Sequence, residues 1–203
     1  MTIPEKLQKV SWVVGNAKDL PGHYLRFSLL DFFRQNAPDI ELFGRAVRPI
    51  DDKWQGIVPF YYSLAIENNS GPDMWTEKLA DCFLGWTIPF YYGCTNLEEY
   101  FPKDSFIQLD IHDPEKTLTA IRENATPENW ASRLPALEEA RRLILQRYQL
   151  FPFLAERIKT VYPLNEERDK EPFVIPPYHR SMNAHLLRFR YKLRKKLGLL
   201  AEK

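Results

Sequence analysis

The chain has 203 residues, 44% of them apolar, enough for one domain with a real core, alone or with an appendage. A formal net charge of +1 excludes nucleic-acid binding by bulk charge, and two cysteines are too few for a disulfide framework. No run of about 18 apolar residues marks a transmembrane helix. The charged start MTIPEKLQKV lacks the apolar segment of a signal peptide, so a soluble, cytoplasmic protein is expected.

In chain order, Val10 to Gly15 (VSWVVG) is apolar, β-branched and aromatic, and reads as a buried parallel strand. His23 to Gln35 reads as a helix with Leu25, Leu29, Phe32 and Phe33 inward and Arg26 off that face. Ile40 to Phe43 is a second strand, closed by Gly44, and Arg45 to Pro59 is a loop in which Asp51, Asp52 and Lys53 read as solvated in preference to the other reading, a loop beside a ligand site. Tyr61 to Ile66 is a third strand, and residues 69 to 73 (NSGPD) are a strong turn signal. Asp73 is placed to cap a helix over residues 75 to 85, with Leu79, Cys82 and Phe83 inward and Gly85 as its stop. Ile88 to Tyr92 and Phe106 to Ile111 are further strands, with a short helix or turn at Asn96 to Tyr100 between them. His112, Asp113 and Pro114 open a helix to about Glu123; the histidine and aspartate read as a cap. Thr126, Pro127 and Glu128 open another to about Gln149, with a break at Pro135, and residues 150 to 162 look helical and apolar.

Strands alternating with helices predict an α/β, Rossmann-like three-layer domain over residues 1 to 162, with right-handed crossovers and a mostly parallel sheet. Residues 163 to 180 hold four prolines and read as a linker, with His179 solvated. Residues 182 to 200 form an amphipathic pattern, with six basic residues from Arg188 to Lys196; His185 again reads as a surface residue. Two readings stand for this tail: a peripheral membrane helix attracted to anionic lipid, or a helix packed on the domain with its basic face solvated. Cys82 and Cys94 are expected to be reduced and partly buried. The pairs Tyr61–Tyr62 and Tyr91–Tyr92 read as strand packing rather than a stacking platform.

The chemistry concentrates where the third strand ends and the next helix begins. A strand end presents Asn68, with Glu67 beside it, and a helix start presents Glu77, Lys78 and free amides. Lysine plus amides suits a diphosphate, and a carboxylate suits ribose hydroxyls, so a nucleotide-sugar site is one reading. A capped helix start with a surface Glu-Lys pair fits the same spacing.

Residues 64 to 93, LAIENNSGPDMWTEKLADCFLGWTIPFYYG, resemble the signature of the α-1,3/4-fucosyltransferases, glycosyltransferase family ten. The matching marks are Glu67-Asn68, Thr76-Glu77-Lys78, Ile88-Pro89 and Tyr92-Gly93, flanked by VSWVVGN, ELFGR, NLEEYFPKDSFIQLD and a Gly22-His23-x-x-Arg26 pattern. The resemblance covers roughly residues 8 to 160. It implies the C-terminal, donor-binding half of a GT-B-type enzyme that transfers fucose from GDP-fucose, or a similar GDP-sugar, with inversion and with no obligatory metal or other cofactor. The acceptor would be an oligosaccharide or lipid-linked glycan, as in bacterial surface-polysaccharide or lipopolysaccharide synthesis at the inner face of a membrane. On this resemblance Lys78 binds the pyrophosphate, Glu77 a ribose hydroxyl, and Asn68 and Thr76 belong to the same site. The family's donor-binding arginine falls on Arg26 or, in the other alignment, on His23. Met74 replaces a tyrosine usual two residues before the Thr-Glu-Lys, with Trp75 as a possible stand-in ring. The acceptor half, which supplies the general-base carboxylate, is expected to be absent, and no base is nominated. The alternative is a non-catalytic or truncated nucleotide-sugar binding module.

Overall fold

Uninterrupted apolar runs belong in the middle of a parallel sheet, where both faces are covered. The sheet has five strands, β1 (Leu7–Val13), β2 (Ile40–Phe43), β3 (Phe60–Gly71), β4 (Ile88–Cys94) and β5 (Ile107–Gln108); β4 and the first half of β3, in the interior, fit this best, whereas the edge strands β2 and β5 carry Glu41 and Gln108. The computed structural model describes residues 3–16, 21–45 and 47–161, with the backbone alone at residues 21, 22 and 161. The chain divides into two units, Met1–Arg157 and Ile158–Lys203, and the fold is that of the first. The linker over 163–180, the basic helix over 182–200, His179 and His185 lie outside the described residues.

The sheet order is β2-β1-β3-β4-β5 and every pairing is parallel. β3 is central, with a nearly continuous buried run from Phe60 to Glu67. Helix α1 (Pro21–Asn36) connects β1 to β2 in one direction; α2 (Glu77–Leu84) connects β3 to β4 in the other. Right-handed crossovers that diverge in this way put α1 and α2 on opposite faces and open a crevice between the ends of β1 and β3. Helix α3 (Pro114–Asn124) packs with α1, and α4 (Pro127–Gln146) packs with α2. Helix α5 (Leu150–Val161) ends the described chain. The core joins Trp12, Leu29, Phe33, Phe83, Ile88 and Phe90, among others.

Several elements depart from the sequence reading. β3 runs through the expected turn to Gly71, so the chain reverses only at Pro72 and Asp73. Asp73 does not cap α2. It takes a left-handed φ of 58°, and its carboxylate accepts from Asn96 Nδ2 at 2.8 Å and Tyr100 OH at 2.6 Å. The cap is Thr76. Helix α4 passes through Pro135 without a break; the lost N–H bond is outweighed by burial of Leu137, Ala140 and Ile144. The last strand shrinks to Ile107–Gln108. On α1, Leu30 is buried, Phe32 is only partly so, and Arg26 lies inside rather than off the packed face. Asp113 caps α3 as expected, while His112 instead bonds Asp110 through Nδ1.

Both cysteines are free and buried, and burial pushes the Cys82 thiol up to about 12. At the opposite, N-terminal edge of the sheet, Lys6 Nζ donates to the carbonyls of Val58, Phe60 and Gly85 at 2.6, 3.0 and 2.8 Å and reaches Thr87 Oγ1 at 3.1 Å. Lys6→Met leaves those carbonyls without their donor. A loss of about 1–3 kcal/mol is expected, read as a lower urea midpoint at unchanged slope.

Candidate functional site

The site is built from the connection between β3 and α2. Thr76 starts α2 in extended backbone, and its Oγ1 accepts from Lys78 N–H, satisfying one of the amides a helix start leaves over. Thr76 is itself tied to Glu67: its N–H and hydroxyl donate to the carboxylate at 2.9 and 2.8 Å. Glu67 is 2% exposed, the last residue in the buried run of the central strand. A buried carboxylate must be paired, and the partner is Lys78, whose Nζ lies 3.1 Å from Glu67 Oε2 and 3.0 Å from Thr76 Oγ1. Glu67 thereby aims Lys78 from behind. Tyr91 on β4 braces the same connection, accepting from Cys94 N–H at 2.9 Å and reaching Met74 O at 3.4 Å.

Across the crevice, Arg26 of α1 reaches back over the sheet edge and donates from Nη1 to Asn68 Oδ1 at 2.7 Å. Arg26 is 5% exposed; burial lowers its pKa from the ordinary arginine value, and a guanidinium nonetheless stays charged at neutral pH. Glu77 lies 3.4 Å from Lys78 Nζ. Burial pushes the Glu77 carboxyl up, but the Lys78 charge and bonds from Thr76 and its own backbone outweigh this and hold it below the usual range.

These groups line one cleft of about 210 Å³ at the β1/β3 switch point. Arg26, Glu77 and Lys78 line it, together with Lys53 and Asp81, over a floor that includes Ser63 and Ile66. Lys53 sits on a 3-10 turn (Lys53–Gly56) that Asp52 caps, and it pairs with Asp81 one helical turn beyond Glu77. The arrangement places three cations, a helix N-terminus and two carboxylates around one crevice, which is chemistry for a diphosphate and an adjoining polyol.

Of the residues expected from sequence, Arg26, Glu77 and Lys78 line the cleft. Asn68 holds Arg26 and Thr76 holds Lys78, so both act through a neighbour. His23 is buried on α1 but does not line the cleft, which separates it from Arg26. Met74 is half-buried in the connection. Trp75 turns away into rings of Tyr100, Phe101 and Tyr148, with centroids 6.4, 5.2 and 5.3 Å distant, so it supplies no ring to the cleft. Lys53, read as solvated, proves a cleft residue, and Asp81 was legible only as the residue one turn after Glu77 on the same helix face.

Residues 3–126 match the family model described as glycosyltransferase family 10 (fucosyltransferase) C-term. The chain belongs to glycosyltransferase family 10. Among its relatives, mouse 4-galactosyl-N-acetylglucosaminide 3-alpha-L-fucosyltransferase 9 is 31% identical over 133 residues, which are 60% of this chain and 34% of that protein. The human protein of the same name is also 31% identical over 133 residues, with the same coverage. This family 10 chain thus spans about a third of the length of the curated relatives it matches. A solved α1,3-fucosyltransferase with GDP-fucose superposes with a TM-score of 0.52 at 22% identity, over 68% of this chain and 40% of that one. The GDP form of such an enzyme gives a TM-score of 0.52 at 22% identity, over 68% of this chain and 39% of that one. At this identity the likeness is one of fold, and it agrees with the all-parallel sheet of the family 10 domain.

Proposed function

We propose that this family 10 domain binds GDP-fucose, or a similar GDP-sugar, in the cleft at the β1/β3 switch point and serves inverting transfer of the sugar to a glycan hydroxyl. The observation that carries the reading is the convergence of Arg26 from α1 with Glu77 and Lys78 from the start of α2 on one cleft. Lys78 and Arg26 hold the diphosphate, and Glu77 accepts from a ribose hydroxyl. In transfer, the bond from the anomeric carbon to the diphosphate breaks and GDP leaves with the electron pair. The two cations stabilise that charge where it develops. The acceptor oxygen forms the new bond, and its proton passes to a base that we assign to an acceptor half rather than to this cleft.

One observation favours a second reading, a nucleotide-sugar module without transfer of its own. Both cleft carboxylates, Glu77 and Asp81, are already engaged by lysines, and such pairing makes a poor general base. Titration calorimetry with GDP and GDP-fucose tests what the two readings share: saturable binding of both ligands is expected, and no heat with either overturns both. Incubating the chain alone with GDP-fucose and a glycan acceptor separates them. Fucosylated product supports transfer, and binding without product leaves the module.

A further inference from the structure

We infer that the Lys53–Asp81 pair at the far side of the cleft reads the nucleobase and selects guanine; this rests on the donor reading above. Asp81 lies one turn along α2 from Glu77, about 6 Å at 1.5 Å per residue. That span matches the distance from a ribose held at Glu77 to the far edge of a purine. The Asp81 side chain is only 14% exposed, yet it lines the cleft rather than the core. Its Oδ2 pairs with the Lys53 ammonium, and an ionised carboxylate has lone pairs on both oxygens to offer a ligand as well. A floor with Ile57, Leu64 and Ile66 gives a flat base an apolar bed beside this polar pair.

The pair presents a donor next to an acceptor that can serve two sites. The exposed edge of guanine is the complement: O6 accepts, while N1–H and the N2 amine donate. Lys53 donates to O6, and the Asp81 carboxylate accepts from N1–H and N2. Adenine reverses the first two groups, placing an amine against Lys53 and a bare ring nitrogen against Asp81. Uracil puts a carbonyl where guanine has its amine, against a carboxylate oxygen. Each mismatch leaves a cleft group unpaired or repelled, which is how a polar site rejects a near-isostere. The ion pair also holds both side chains in place before the base arrives. The mount differs from that of Lys78: Asp52 fixes the 3-10 turn that carries Lys53 by accepting from Trp54 N–H at 2.9 Å.

The test is competition binding on the full chain with GDP, ADP, UDP and xanthosine diphosphate. The native chain is expected to hold GDP at least about tenfold tighter than ADP or UDP. Xanthine carries a carbonyl in place of the N2 amine, so Asp81→Asn, which adds a donor there, should invert the order. GDP weakens about tenfold, xanthosine diphosphate strengthens to match or exceed it, and ADP is unchanged. Lys53→Met should lower GDP affinity and spare ADP. Retained ADP binding in both variants shows that the cleft is folded. Asp81→Asn still preferring GDP over xanthosine diphosphate overturns the inference. If native GDP, ADP and UDP bind equally, base selection falls while diphosphate binding stands. If none of the three binds, the donor reading itself falls, and this inference with it.

Discussion

Lys78→Ala is expected to weaken GDP binding by about 2–3 kcal/mol, roughly 30- to 150-fold at 25 °C. The Lys78 ammonium is one of three cations lining the cleft, and it is held ready by Thr76 Oγ1 and Glu67 rather than left to sample rotamers. Its loss removes a charge-assisted bond to the diphosphate and also leaves Glu67, a 2% exposed carboxylate, with only Thr76 as partner. The variant should therefore lose stability as well, by about 1–3 kcal/mol, because the remaining buried charge has lost its counterion. Calorimetry below the melting transition reads the first effect, and a thermal scan without ligand reads the second. An alanine variant with native GDP affinity would remove Lys78 from the site.

Gly93→Ala is expected to damage fold and site together. Gly93 follows the aromatic pair of β4 and has a φ of +155°, a conformation costly for any residue with a Cβ. That Cβ would also meet Glu67 Cγ, with Tyr91 OH at 2.7 Å and Glu67 Cβ at 2.8 Å. Tyr91 OH is pinned by Cys94 N–H, and Glu67 by Thr76 and Lys78, so neither yields cheaply. A stability loss of about 2–4 kcal/mol follows, with a GDP affinity loss near tenfold as Glu67 shifts Lys78. Gly71→Ala is the control: a Cβ there meets nothing within 4 Å, and a change within about 0.5 kcal/mol is expected. Equal denaturant midpoints for the two variants would contradict this account.

Much of the fold was legible because the cues were local. Val10 to Val13 and Tyr62 to Ile66 carry the largely apolar runs of interior parallel strands, interrupted only by Ser11 and Ser63, which bond each other, and Leu79, Cys82 and Phe83 share one face of α2. Sequence and structure diverge where a distant partner decides. Asp73 has the chemistry of a cap, but Asn96 and Tyr100 claim its carboxylate, and Thr76 takes the cap because Glu67 fixes it. Helical periodicity places Arg26 outward because it assigns charges to solvent. Yet α1 begins at the edge of the sheet, where Asn68 on β3 receives the guanidinium. The ring of Pro135 taken alone predicts a break, whereas the buried face carries α4 through it. The site followed the same division. Glu77 and Lys78 were visible as a motif, whereas Lys53 reaches the cleft only because its loop folds back across the sheet to pair with Asp81.

The family membership and the cleft geometry meet in one claim, that the diphosphate of a GDP-sugar lies between Arg26 and Lys78. A crystal structure of the full chain grown with GDP-fucose tests it directly. Diphosphate oxygens are expected within hydrogen-bond distance of both Lys78 Nζ and the Arg26 guanidinium, with a ribose hydroxyl on Glu77. A nucleotide bound elsewhere on the domain, with Lys78 still turned to Glu67 and an empty cleft, would contradict it.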